Sequence, residues 1–180
     1  RIGTMPNLQK YRAGGLTAAF PDLFIRDFEA DTGLAHTTDP ATSPDIILRE
    51  ALLDESAALS VGGSLFGTSA SLSALARDKD FQIYVRVLNR GAGDALGATV
   101  RVYAADLATL SATDAWTLLG SATIAKVSAG SAGVASPPIA WRSAGLSAAG
   151  SITLLAMVDH GADPVPGVAR FDATDFPVAG

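Results

Sequence analysis

The sequence predicts an all-β protein, an antiparallel β-sandwich, and three observations carry that prediction. Alternating apolar and polar residues recur in separate short runs. Gly, Pro, Asp and Ser interrupt the chain about every ten residues, the spacing of turns between short strands. No long amphipathic helix lies between the runs, as a parallel βαβ array would require.

The clearest strand is Phe81-Gln-Ile-Tyr-Val-Arg-Val-Leu88. Phe81, Ile83, Val85 and Val87 share one face, and Gln82, Tyr84 and Arg86 share the other, so the pattern predicts a half-buried strand. Asn89-Arg-Gly-Ala-Gly93 is a turn by composition, and Thr99-Val-Arg-Val-Tyr103 alternates again with Val100 and Val102 inward. These two runs are expected to be neighbouring strands. Ile152, Leu154, Ala156 and Val158 repeat the period, with Thr153, Leu155 and Met157 outward, up to the breakers Asp159-His-Gly-Ala-Asp-Pro164.

Weaker candidates are Trp116 to Ile124, Val134 to Trp141 and Val168 to Phe176. Pro137-Pro138 confines the second to an edge or a bulge. Ala51 to Leu59 has room for one or two helical turns before Val61-Gly-Gly63, and the Ser/Gly/Ala-rich run that follows predicts a long surface loop at about 51–79. Earlier, Pro21-Asp-Leu-Phe-Ile-Arg-Asp27 is echoed by Pro44-Asp-Ile-Ile-Leu-Arg-Glu50. The echo predicts two edge strands, each opened by a proline that cannot donate to a ladder, or a strand that pairs with another chain.

The 180 residues, 48% of them hydrophobic, suit one domain over 21–180 with a core large enough to offset chain entropy. Residues 1–20 form an N-terminal arm or tail, whose Lys10 and Arg12 oppose the sign of the acidic body. No run approaches the ~18 apolar residues of a bilayer span, and no basic-then-apolar leader opens the sequence, so the chain reads as soluble or already processed. The net charge of -5 disfavours nucleic acid. The absence of cysteine excludes disulfides, thiolate metal sites and thiol nucleophiles.

Several of these segments together resemble a known bacterial sequence type. They are Pro21 to Gly33, Ser43-Pro-Asp-Ile-Ile47, Tyr84 to Gly91, Val100-Arg-Val-Tyr103, Asp114-Ala-Trp116, Ile139-Ala-Trp141 and Leu154 to Asp159. That type has an Arg-Asp/Asp-x-Gly segment and a Ser-Pro-Asp-Ile segment ahead of a CARDB-like module. The resemblance implies an immunoglobulin-like (CARDB/fibronectin-III-like) sandwich with an extended N-terminal arm. It also implies a secreted or cell-surface setting and an accessory, adhesive or assembly role.

Candidate chemistry is sparse. His36 and His160 are the two histidines, no Gly-x-Ser-x-Gly elbow surrounds a serine, and no His-x-x-x-His spacing exists. The expectation is therefore a non-enzyme without a resident cofactor. Asp27, Glu29 and Asp31 alternate beside Gly33, an oxygen-rich loop that is the candidate calcium site. The competing reading gives those carboxylates to their own loop or to Arg26. Asp159, His160 and Asp163 form a second such turn. Trp116 and Trp141 invite a glycan platform but suit a sandwich core. The leading expectation is a non-catalytic module making protein contacts or self-assembling through edge strands or the arm. A calcium- or glycan-binding module using the Asp27–Gly33 loop is the alternative, and a cryptic hydrolase comes third.

Overall fold

The computed structural model describes residues 19–33, 43–50, 53–67, 79–106, 116–143 and 152–163. In chain order the elements are β1 (Leu23–Phe24), β2 (Ile46–Arg49), α1 (Ser56–Leu59), β3 (Asp80–Asn89), β4 (Ala95–Asp106), β5 (Thr117–Val127), β6 (Val134–Ala135), β7 (Ile139–Arg142) and β8 (Ile152–Asp159). The protein is all-β, and its strands pair antiparallel in two sheets. The first is built on β3, with β1 and β2 along one side and β6 and β7 along the other. The second has the order β5-β4-β8.

Alternation explains why the two sheets meet. Ile83, Val85 and Val87 of β3 and Val100 and Val102 of β4 belong to one buried cluster, together with Ile124, Ile139, Ala156 and Val158. The inward faces read from the sequence for β3 and β4 thus line a single core. On β8 the buried pair is Ala156 and Val158, while Ile152 and Leu154 are half-buried. Val168 to Phe176 and residues 1–18 lie outside the described residues.

Both sides of β3 carry a divided strand. The Pro-Asp echo takes physical form here, since Leu23 pairs with Asn89 and Ile46 pairs with Val85 on the same side. On the opposite side Ala135 pairs with Arg86 and Ile139 with Ile83, which leaves three residues, Ser136-Pro137-Pro138, facing Tyr84 and Val85. The extra residue is a bulge, as expected where prolines lack the N–H a ladder needs. Ser136 repairs the gap: its N–H donates to the Val85 carbonyl at 2.9 Å and its Oγ accepts the Val85 N–H at 3.0 Å.

Two expectations are corrected. First, the runs beginning at Phe81 and Thr99 are not neighbouring strands, because β3 and β4 lie in different sheets. Turn composition alone suggested a hairpin, but the side chain of Asn89 uses up the groups that would close one. Its Oδ1 accepts from the N–H of Asp22 (3.0 Å) and Gly91 (2.9 Å), and its Nδ2 donates to the carbonyls of Gly93 (2.8 Å) and Val127 (3.2 Å). The chain therefore turns a corner and crosses to the other layer.

Second, β3 is not half-buried. Tyr84 is 0% and Arg86 2% exposed, so its polar face is covered too. The cover is residues 53–67, the described part of the expected surface loop. Asp54 Oδ1 accepts the Ser56 N–H at 2.8 Å and starts the single turn α1, which buries Leu59 against Ile47, Tyr84 and Ala135. One helical turn has little stability of its own, so packing on the sheet holds it in place.

Candidate functional site

The Asp27–Gly33 loop lies just beyond β1. Asp31 is buried; its Oδ1 accepts the Gly33 N–H at 2.7 Å and its Oδ2 the Asp27 N–H at 3.3 Å. Asp27 is buried beside it, while Glu29 is exposed and offers its main-chain carbonyl to Arg26 Nη1 at 3.4 Å. Aspartate closing its own turn is the competing reading, and these bonds have that form. Among the described residues no group of three or more His, Cys, Asp or Glu side chains is placed to hold a metal ion.

A cluster that sequence reading missed lies under residues 53–67. Asp45 is fully buried and its carboxylate takes both arginines. Oδ1 accepts from Arg26 Nη2 (2.7 Å) and Arg86 Nη1 (3.0 Å), and Oδ2 from Arg26 Nε (2.8 Å) and the Arg26 N–H (3.1 Å). That contact raises the Arg26 guanidinium above its ordinary value, chiefly through the Asp45 hydrogen bond. Arg86 then reaches up into the cover, donating to the carbonyls of Leu59 (3.0 Å) and Phe66 (2.7 Å). Its guanidinium carbon stands 4.7 Å from the centre of the Phe66 ring.

Tyr84 plays the same part a turn away. Its hydroxyl accepts the Glu55 N–H at 3.0 Å and lies 3.1 Å from the Leu53 carbonyl and 2.7 Å from Gln82 Oε1; burial pushes its ionisation upward. Arg49 clasps Glu55 through Nε at 2.7 Å, and that bond holds the Glu55 carboxyl below its ordinary value. Each polar group serves to hold the cover, and no nucleophile and base are paired here. The Arg–Asp spacing in the echo was the signal available in the sequence.

The remaining candidates are also placed. At the end of β8, His160 Nδ1 accepts the Ala162 N–H at 3.2 Å and Nε2 lies 3.1 Å from the Leu96 carbonyl, so both ring nitrogens serve the local turn. Asp163 Oδ2 accepts the Leu23 N–H at 2.6 Å, and Asp159 is 3.9 Å from Arg101. Trp141 pairs with Phe81 across the strands, stacks on its ring at 5.8 Å and packs on the core; Trp116 is half-buried beside β5. His36 lies outside the described residues.

What the described surface offers a partner is strand edge. Among the described residues β5 pairs with β4 alone, and its Leu118, Ser121, Thr123 and Ala125 are exposed. Its single charge is Lys126, held 2.7 Å from Asp94. A bulge opposite Val102 and Tyr103 interrupts its ladder near Leu118, leaving Gly120 to Val127 as the regular stretch. Compared with known proteins, the chain matches no family model, no curated protein and no solved structure.

Proposed function

We propose that this chain is a non-catalytic immunoglobulin-like (CARDB/fibronectin-III-like) sandwich module that makes protein contacts through the edge of β5. Its setting on this reading is secreted or surface-associated, as an accessory domain or an assembly subunit. The observation that carries the reading is the β5 edge: a long strand with one terminal lysine and no acidic residue, next to no described strand on its outer side. Such an edge offers a row of main-chain donors and acceptors to an extended partner. The order of strands supports the immunoglobulin-like part. The early divided strand, β3 and the β6/β7 strand form one layer, and β4, β5 and β8 form the other, a Greek-key distribution. The low count of chemically paired groups agrees with a binding role.

The experiment is size-exclusion chromatography with light scattering over a concentration series, read alongside hydrogen exchange of the β5 amides. Self-association with growing protection of residues 120–126 is expected. Thr123→Lys, on an exposed position, should leave folding stability within about 0.5 kcal/mol of the parent. It should abolish that protection by setting like charges across the paired edges. A parent chain that stays monomeric, with β5 amides exchanging alike at every concentration, counts against the reading.

A further inference from the structure

Residues 19–26 are held by the rest of the molecule as an extended peptide ligand is held by a receptor. The Asp22 N–H donates to Asn89 Oδ1 at 3.0 Å, its carbonyl accepts the Arg90 N–H at 3.1 Å, and its carboxylate accepts Arg90 Nε at 2.6 Å. The Phe20 carbonyl accepts the Gly93 N–H at 3.1 Å, and the Leu23 N–H donates to Asp163 Oδ2 at 2.6 Å. The receptor backbone is cut away to admit the segment: a Cβ at Gly91 would lie 2.3 Å from the Phe20 carbonyl oxygen, and one at Gly93 2.3 Å from that of Ala19. Leu23, Phe24 and Ile25 are all buried, although only Leu23 and Phe24 join the ladder.

The sequence echo shows that this is a mode of recognition and not a single accident. Arg86 treats Asp45 as Arg90 treats Asp22. Its N–H donates to the Asp45 carbonyl at 2.8 Å and its guanidinium to the Asp45 carboxylate at 3.0 Å. One side of β3 therefore carries two arginines, four positions apart, that each read the main chain and the carboxylate of a Pro-Asp-aliphatic strand.

We infer that the slot formed by Asn89 to Gly93 with Asp163 is a docking site for an extended Pro-Asp-aliphatic segment. Its occupant in an assembly is residues 19–33 of a second copy of this chain. The charge match between Asp22 and Arg90 and the fit at the two glycines are the same whichever copy supplies the segment. Exchange between copies replaces every contact with an identical one, and concentration sets the balance. Residues 34–42 connect the segment to the rest of the chain, a length that reaches roughly 30 Å when extended. The Pro44 segment is not the exchanged one, because it runs directly into the four ladder pairs of β2. The inference rests on the reading of the chain as a module for protein contacts but uses a different edge.

The chain has no cysteine, which makes the test clean. Phe24 and Leu88 are register partners, and cross-strand partners have Cβ atoms ~5 Å apart, within reach of a disulfide after minor adjustment. The double variant Phe24→Cys/Leu88→Cys should close an internal bond. An oxidised mixture of full-length Phe24→Cys and full-length Leu88→Cys should give a covalent dimer absent from either alone. As a second measurement, a fluorescein-labelled peptide of residues 19–33 should bind the parent chain saturably, and Asp22→Ala in the peptide should weaken it about tenfold.

Either a mixture-specific dimer or such peptide binding supports the inference. A mixture that stays monomeric, together with a peptide that does not bind, overturns it; where the double variant fails to close, the peptide alone decides. Thr123→Lys alters β5 and leaves residues 19–33 and 89–93 unchanged. Cross-linking that survives it separates this docking from pairing at the β5 edge.

Discussion

The outer faces of the two sheets are built on the same alternation and end in opposite conditions. Outside β3, Tyr84 and Arg86 are buried beneath residues 53–67, and the charge of Arg86 is met by Asp45 at 3.0 Å. Outside β4, Arg101 and Tyr103 remain half-exposed, and Arg101 meets Asp159 only at 3.9 Å across solvent-facing side chains. A polar residue at an outward position thus says nothing by itself about exposure. What decides is whether another part of the chain supplies partners for it: a buried guanidinium costs several kcal/mol unless its donors are satisfied.

Matched substitutions test this contrast. Arg86→Ala should cost about 3–5 kcal/mol in equilibrium denaturation, because Asp45 loses one of its two cations in a dry site and the carbonyls of Leu59 and Phe66 lose their donor. Arg101→Ala should change stability by no more than about 0.5 kcal/mol. Equal costs would mean that the two faces are energetically alike. Next in size, Leu59→Ala should cost about 2–4 kcal/mol by emptying a fully buried position under the cover. Hydrogen exchange should place the loosening in residues 53–67 and spare β4.

Ser136→Ala should cost about 1–3 kcal/mol, since the buried Val85 N–H loses its acceptor at the bulge. The smallest effect concerns pH. Glu55 is held below its ordinary value by Arg49, so its folded form binds fewer protons than the unfolded chain. Its stabilisation is full above the unfolded carboxyl value of roughly 4.3 and is lost as pH falls through the lower folded value. The group is partly solvated, so the difference between parent and Glu55→Gln in denaturation midpoint should amount to less than about 1 kcal/mol at neutral pH and vanish near pH 3.

Much of the strand pattern was legible before any coordinates. The inward sets of β3 and β4, the bulge forced by Pro137-Pro138 and the paired Pro-Asp segments all follow from local rules: a period of two and a missing N–H. Less of the candidate site was legible. Asp27 and Asp31 looked like possible cation ligands because spacing alone cannot show that Asp31 spends both oxygens on backbone N–H groups. The Asp45–Arg86 contact joins residues 41 positions apart, a separation at which no local pattern operates. The β5 edge was readable as a strand, but its position at the outside of a sheet was not.

By itself, then, the sequence determined which side chains turn together and where a ladder must break, because these depend on the geometry of a few consecutive peptide units. Only the tertiary structure decided which sheet each strand joins, which polar face is covered and which edge is left free. Those outcomes depend on satisfying buried donors and acceptors across the whole molecule: Asn89 turns the chain into the second layer, and Arg86 holds the cover down on the first.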